Sequence, residues 1–169
     1  MSFDDRISEI ISVSEALRLN VLIWGPGQNT PALYAKRQKI RQQIKDAFRN
    51  ADVRFSEDLM DTVPGGTEGL SLAEQELLHL AACDVCFVLD VSKGPGEEIA
   101  HFINSGFGHK LVILTHEKDK EARSFPAELR KYGNQLFFND DEYEQCHLVE
   151  RIVSRVRILA VAKLGRLFV

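Results

Sequence analysis

Cysteine occurs only three times in this 169-residue chain, and a sparse, odd set cannot build the paired framework of a small secreted domain. Cys83 and Cys86 have a C-x-x-C spacing. Cys86 falls inside an apolar run and Cys83 just ahead of it, so both read as small buried hydrophobes, not as a redox pair or half a zinc site. Metal-ligand spacing is missing as well. His79, His101, His109, His116 and His147 are scattered and no His-Glu-x-x-His occurs, so neither a metal nor a cofactor is implied. No apolar run approaches the roughly 18 residues that cross a bilayer. The opening Met1-Ser2-Phe3-Asp4-Asp5-Arg6 lacks a signal peptide's basic region and apolar stretch, so a cytoplasmic protein with no membrane partner is expected. An excess of basic charge is lacking too, and a formal net charge of -4 leaves no electrostatic footprint for duplex nucleic acid.

What remains is an ordinary apolar content, 44%, enough for one well-buried core and too little chain for two. A single domain over residues 1–169 is expected. Apolar β-type runs at 20–24, 52–55, 85–89, 111–115 and 135–138 alternate with helical patterns at 32–50, 72–82, 97–105 and 126–132. A long helical pattern follows at 142–163. Strand-helix alternation of this kind predicts an α/β fold: a three-layer, open, mostly parallel five-stranded sheet with helices on both faces. Within residues 1–18 an amphipathic helix over 2–17 places Ile7, Ile10, Ile11, Ser14 and Leu17 on one stripe. In the terminal helix, Leu148, Val149, Ile152, Val153, Val156 and Leu159 form a band wider than one sheet face needs. It reads as core packing or as a homo-oligomer contact.

Chemistry concentrates where the third apolar run ends. In Val85-Cys86-Phe87-Val88-Leu89-Asp90-Val91-Ser92-Lys93-Gly94-Pro95-Gly96-Glu97-Glu98, a strand ends in an acid, glycines make a turn, and a helix opens on two glutamates. In an open α/β sheet, ligands sit outside the carboxyl ends of the strands. A first-turn carboxylate there stays ionised, because unpaired backbone N–H groups and the helix dipole favour negative charge. Glu98 is the candidate catalytic residue and Glu97 its rival; either is also an ordinary favourable first-turn residue. Asp90 is placed to accept hydrogen bonds from ribose hydroxyls or to brace its own turn. Ser92 orients a sugar or shapes the turn, and Gly94 belongs to the same turn.

A second ligand loop follows the first strand. Gly25 and Gly27 allow backbone N–H groups to approach a ligand, and with Asn29 and Thr30 they would cradle a phosphate or sugar. No Gly-Lys-Ser/Thr follows and position 30 is Thr, so this is neither a Walker loop nor a full Gly-x-Gly-x-x-Gly fingerprint. Trp24 reads as a base-stacking ring or as core. Tyr34, Arg37 and Arg41 share a helix face, with Arg37 either reaching phosphate or lying on a solvated basic surface. Glu57 and Asp58 add acids at the same sheet edge. Residues 61–69 read as a lid or a surface connector.

Ser92, Gly94, Glu98, Ala100 and Phe102, together with Val21-Leu22-Ile23-Trp24-Gly25-Pro26-Gly27, resemble the nucleoside 2-deoxyribosyltransferase-like and TIR-like families over about residues 20–140. The adjoining Glu97 departs from the pattern. The resemblance implies a flavodoxin-like or TIR-like fold in which Glu98 attacks or stabilises the anomeric carbon of a ribosyl group. It implies cleavage of an N-glycosidic bond in a nucleotide or nucleoside, NAD or a deoxynucleotide among them, or ribosyl transfer to a second base. It further implies a setting in bacterial antiphage defence, with a homo-oligomer or defence-system partner. Pro64-Gly65-Gly66-Thr67-Glu68-Gly69 shares residues, in a different order, with the Pro-Gly-Gly-x-Gly-Thr-x-x-Glu motif of lysine-decarboxylase-like phosphoribohydrolases. The rival class is a non-catalytic module that binds a nucleotide-derived signal or assembles with a partner.

Overall fold

The computed structural model describes residues 2–59, 69–90, 95–120, 134–144 and 148–166. Five parallel strands, β1 Leu19–Trp24, β2 Ala51–Phe55, β3 Val85–Asp90, β4 Leu111–His116 and β5 Asn134–Phe138, form one sheet in the order β2-β1-β3-β4-β5. Six α-helices are described with them: α1 Phe3–Glu15, α2 Pro31–Ala47, α3 Leu72–Ala82, α4 Pro95–Asn104, α5 Asp140–Glu144 and α6 Leu148–Arg166.

The three layers follow from the two-residue period of the strands. Leu19, Val21 and Ile23 of β1 join Val85, Phe87 and Leu89 of β3 on one face, where α2 and α6 cover them with Ile40, Ile44, Ile152 and Val156. Leu22 and Trp24 join Cys86, Val88, Leu111 and Ile113 on the other, under Leu80 of α3 and Ile99 and Phe102 of α4. Cys83 and Cys86 are both buried free thiols. The fold class expected from the alternation is the one observed, with the strand order of flavodoxin-like sheets.

Local chemistry sets several helix starts. Ser71 and Glu74 form a reciprocal capping box at α3, as Ser2 and Asp5 do at α1, and Pro31 takes the first position of α2. The final helical pattern begins earlier than residue 142 and is described as two helices. Asn139 is the physical reason for the earlier start: its Oδ1 accepts from the Glu142 N–H at 2.8 Å, while the Glu142 carboxylate accepts from the Asn139 N–H.

The wide band on α6 is consumed within the chain. Leu148, Val149, Ile152, Val156 and Ala160 are buried, Val153 and Leu159 pack beside them, and Ile158 stays exposed. α1 packs against α6. An Arg157–Glu15 ion pair at 2.8 Å ties the two helices. Only the end of the predicted α1 stripe is covered. Ser14 is buried and Ile11 and Leu17 are half-buried, whereas Ile7 and Ile10 are 42% and 45% exposed; Phe3, outside the stripe, is exposed as well. Among the described residues no helix is long and apolar enough to cross a membrane.

Candidate functional site

At the carboxyl ends of β1 and β3 the chain departs in opposite directions, from β1 through α2 toward β2 and from β3 through α4 toward β4. Such a switch point opens a crevice. Trp24 is in register with Val88, so Gly25 stands level with Leu89 near the carboxyl end of β3. A Cβ on Gly25, whose φ is 157°, would meet Leu89 Cβ at 3.0 Å and Arg37 Cδ at 3.4 Å. Glycine is therefore required here by close packing as well as by backbone conformation.

Arg37 explains that crowding. Its guanidinium is fully buried beneath the β1 loop: Nη1 donates to the Gly25 and Pro26 carbonyls at 3.1 and 2.9 Å, and Nη2 to the Ile23 carbonyl at 3.0 Å. The same two nitrogens grip the Glu57 carboxylate at 2.9 and 3.0 Å. Burial pushes the Glu57 pKa up, but hydrogen bonds and charge from Arg37, with help from its backbone and Ser56, outweigh it and leave a net lowering. The Phe55 ring lies 4.3 Å from the Arg37 guanidinium and 4.8 Å from that of Arg41. Arg41 in turn holds Asp58 at 2.9 Å, and Asp58 also accepts the Phe55 N–H at 3.1 Å.

On the α4 side of the sheet the edge is built differently. Trp24, 4% exposed, packs against Phe102 with ring centroids 4.4 Å apart. This contact fixes α4 against the end of β1, and α4 starts at Pro95, so Glu97 and Glu98 fall in its first turn. Toward the carboxyl ends of β1 and β4, the buried Trp24 indole N–H and Thr115 hydroxyl have no hydrogen-bond partner among the described residues. Thr115, one residue before the end of β4, is in register with Asp90. Orphaned groups so deep in a structure cost free energy unless something pairs with them.

The predicted site residues fall into three sets. Gly25, Asp90 and the first turn of α4 with Glu98 are brought to one edge by the topology. Gly27 and Asn29 lie in the loop closed by Thr30, whose N–H and hydroxyl both donate to the Gly27 carbonyl. A Cβ at Gly27 would meet only Asn29 Oδ1, at an ordinary 3.6 Å. Asp58 stands by the Arg41 side chain, engaged by two donors. Ser92, Gly94, the loop 61–68, the helical pattern 126–132, and the side chains of Asp90, Glu97, Glu98 and His101 lie outside the described residues.

Arg37 requires a correction: it neither faces a phosphate nor lies on a solvated surface. The signal was legible, because Arg37, Ile40 and Ile44 share one stripe at spacings of three and four, and all three are buried. Thr115 was missed; as the first polar residue after the apolar run of β4, it stands level with Asp90 on β3. Among the described residues no cluster of His, Cys, Asp and Glu is arranged to hold a metal ion.

These features define a doubly wound α/β protein with its crevice at the β1/β3 switch point. No family model and no curated protein matches the chain. Among solved structures it is similar to a conserved protein from Enterococcus faecalis V583, with a TM-score of 0.52 and 15% identity over 82% of this chain and 99% of that one. The likeness is one of fold.

Proposed function

We propose that this protein cleaves an N-glycosidic bond of a nucleotide or nucleoside in the β1/β3 crevice, with Glu98 as nucleophile or as stabiliser of an oxocarbenium-like transition state. The supporting observation is the placement of α4. Its first turn follows the carboxyl end of β3 at the switch point and is anchored by Trp24 on Phe102. A carboxylate in a helix's first turn is kept ionised by the backbone dipoles, as either role requires.

In this reading Asp90, Ser92 and Gly94 hold the sugar, and the loop of Gly25, Gly27 and Asn29 holds phosphate or base. The orphaned Trp24 N–H and Thr115 hydroxyl are donors awaiting substrate oxygens or nitrogens. Asp58 acts at the rim through its pair with Arg41. Water as acceptor makes the protein a hydrolase of NAD-like or deoxynucleotide substrates, suited to antiphage defence; a second base makes it a transferase.

Incubating the purified chain with NAD, nucleotides and deoxynucleosides, singly and with an added free base, tests the reading by chromatography. Release of a free base is expected from at least one substrate. Binding of a nucleotide without any base release would favour a non-catalytic sensor.

A further inference from the structure

Away from the switch point, the described residues of the sheet face that carries α3 and α4 leave a corner uncovered. β2 is an edge strand, and its residues Asp52 and Arg54 are only partly buried, whereas Val53 and Phe55 turn into the core on the opposite face. α3 runs from the β2 side to β3, and beside it the corner forms a groove of about 450 Å³. That volume falls within the roughly 300–1,000 Å³ of small-molecule sites.

Three properties of the groove bear on what fills it. Its walls are mainly apolar, from Leu22 on the sheet, Leu59 beyond β2, and Leu78 and Ala82 on α3. His79 also lines it. This ring is 93% buried by the measure of its 7% exposure, and neither nitrogen makes a hydrogen bond of normal geometry among the described residues. The Leu59 backbone pulls on the ring without a hydrogen bond of normal geometry, and an imidazole so poorly satisfied in an apolar wall is costly unless a ligand improves on it. Finally, one rim carries Arg18, Arg54 and Asp52. Arg54 Nε donates to Asp52 at 2.6 Å, and among the described residues that line the groove two arginines, Arg18 and Arg54, stand with one carboxylate, Asp52.

We propose that this groove binds a small amphipathic carboxylate, its apolar body against Leu22, Leu59, Leu78 and Ala82, a polar atom on His79, and its carboxylate toward Arg18. Burial lowers the His79 pKa, against a smaller opposing pull from the Leu59 backbone, so the ring meets its ligand neutral and offers both a donor and an acceptor. The charge that selects the ligand lies at the rim, where it remains hydrated when the groove is empty. The site is separate from the switch-point crevice: Arg18 and Asn20 mark the amino-terminal end of β1, whereas Gly25 follows its carboxyl end.

The test uses the whole chain with ¹⁵N-labelled histidine and follows the ring resonances during titration with 1-naphthoate, neutral 1-naphthalenemethanol and cationic 1-naphthylmethylamine. Saturable movement of the His79 ring signals is expected with 1-naphthoate, with affinity falling about tenfold or more for the amine. Arg18→Glu should weaken naphthoate by a similar factor, and Ala82→Trp, which fills the groove, should abolish the shift. Should Ala82→Trp not fold by circular dichroism, Leu78→Glu at a half-exposed position takes its place. The proposal is overturned by His79 signals that do not respond to naphthoate, by equal affinity for amine and carboxylate, or by binding that survives in the folded groove variant.

Discussion

Arg37 shows how a single charged side chain organises a ligand loop. Three main-chain carbonyls and both oxygens of Glu57 converge on it in a fully buried position, so truncation strands several acceptors at once. Arg37→Ala is expected to cost about 3–5 kcal/mol in denaturant unfolding, and Arg37→Lys, lacking the planar fork, to recover only part. Acid tests the same pair from the other side. Because the folded Glu57 carboxyl lies below its ordinary 4.5, its contribution is present above that pH and is lost as pH falls through the lower folded value. Glu57→Gln should flatten this part of the acid limb; a wild-type profile with no loss below pH about 4.5 would contradict the pairing. The loop glycines divide in a similar way. Gly25→Ala must displace Leu89 and should cost about 1–3 kcal/mol, whereas Gly27→Ala makes only an ordinary contact with Asn29 and should stay within about 0.5 kcal/mol by thermal melting. At this scale the sequence was partly legible. The apolar stripe marked Arg37 for burial, but nothing in the linear order paired it with Glu57, 20 residues on.

The element that matters most to the proposed chemistry is α4, and its anchor is one aromatic pair. Phe102 is 1% exposed and packs on Trp24, so Phe102→Ala should cost about 3–5 kcal/mol and loosen the first turn that carries Glu98. The expected signature is a lower melting temperature with a lower rate of base release; full turnover in a destabilised variant would separate α4 from catalysis. Element positions were well marked by apolar periodicity, since β-type runs coincide with β1 to β5 to within a residue at each end. Ends ruled by caps or tertiary pull were less so. The helical pattern at 32–50 stops at Ala47 because Phe48 turns fully into the core, and the Asn50 side chain is drawn to the Ala16 carbonyl at 2.6 Å. Asn139 moves the start of α5 for the same reason, a side chain satisfying backbone groups that periodicity does not see.

On the scale of the whole molecule, parallel strands joined by helices place every β-to-α turn at one edge, and the order β2-β1-β3-β4-β5 puts the switch point between β1 and β3. The alternation of strands and helices makes this fold legible. The groove beside β2 was not, because its walls come from residues far apart in the chain, from Arg18 to Cys83, which only the tertiary fold brings together. The central claim is that Glu98 carries bond cleavage in the crevice, and the most direct test compares base release by the wild type and Glu98→Gln on the substrate found to turn over. Glu98→Gln should retain the wild-type melting temperature and lose about a thousandfold or more in rate, since an amide can neither form a glycosyl ester nor stabilise positive charge. Undiminished base release by Glu98→Gln, with the loss appearing instead in Glu97→Gln or in neither, would contradict it.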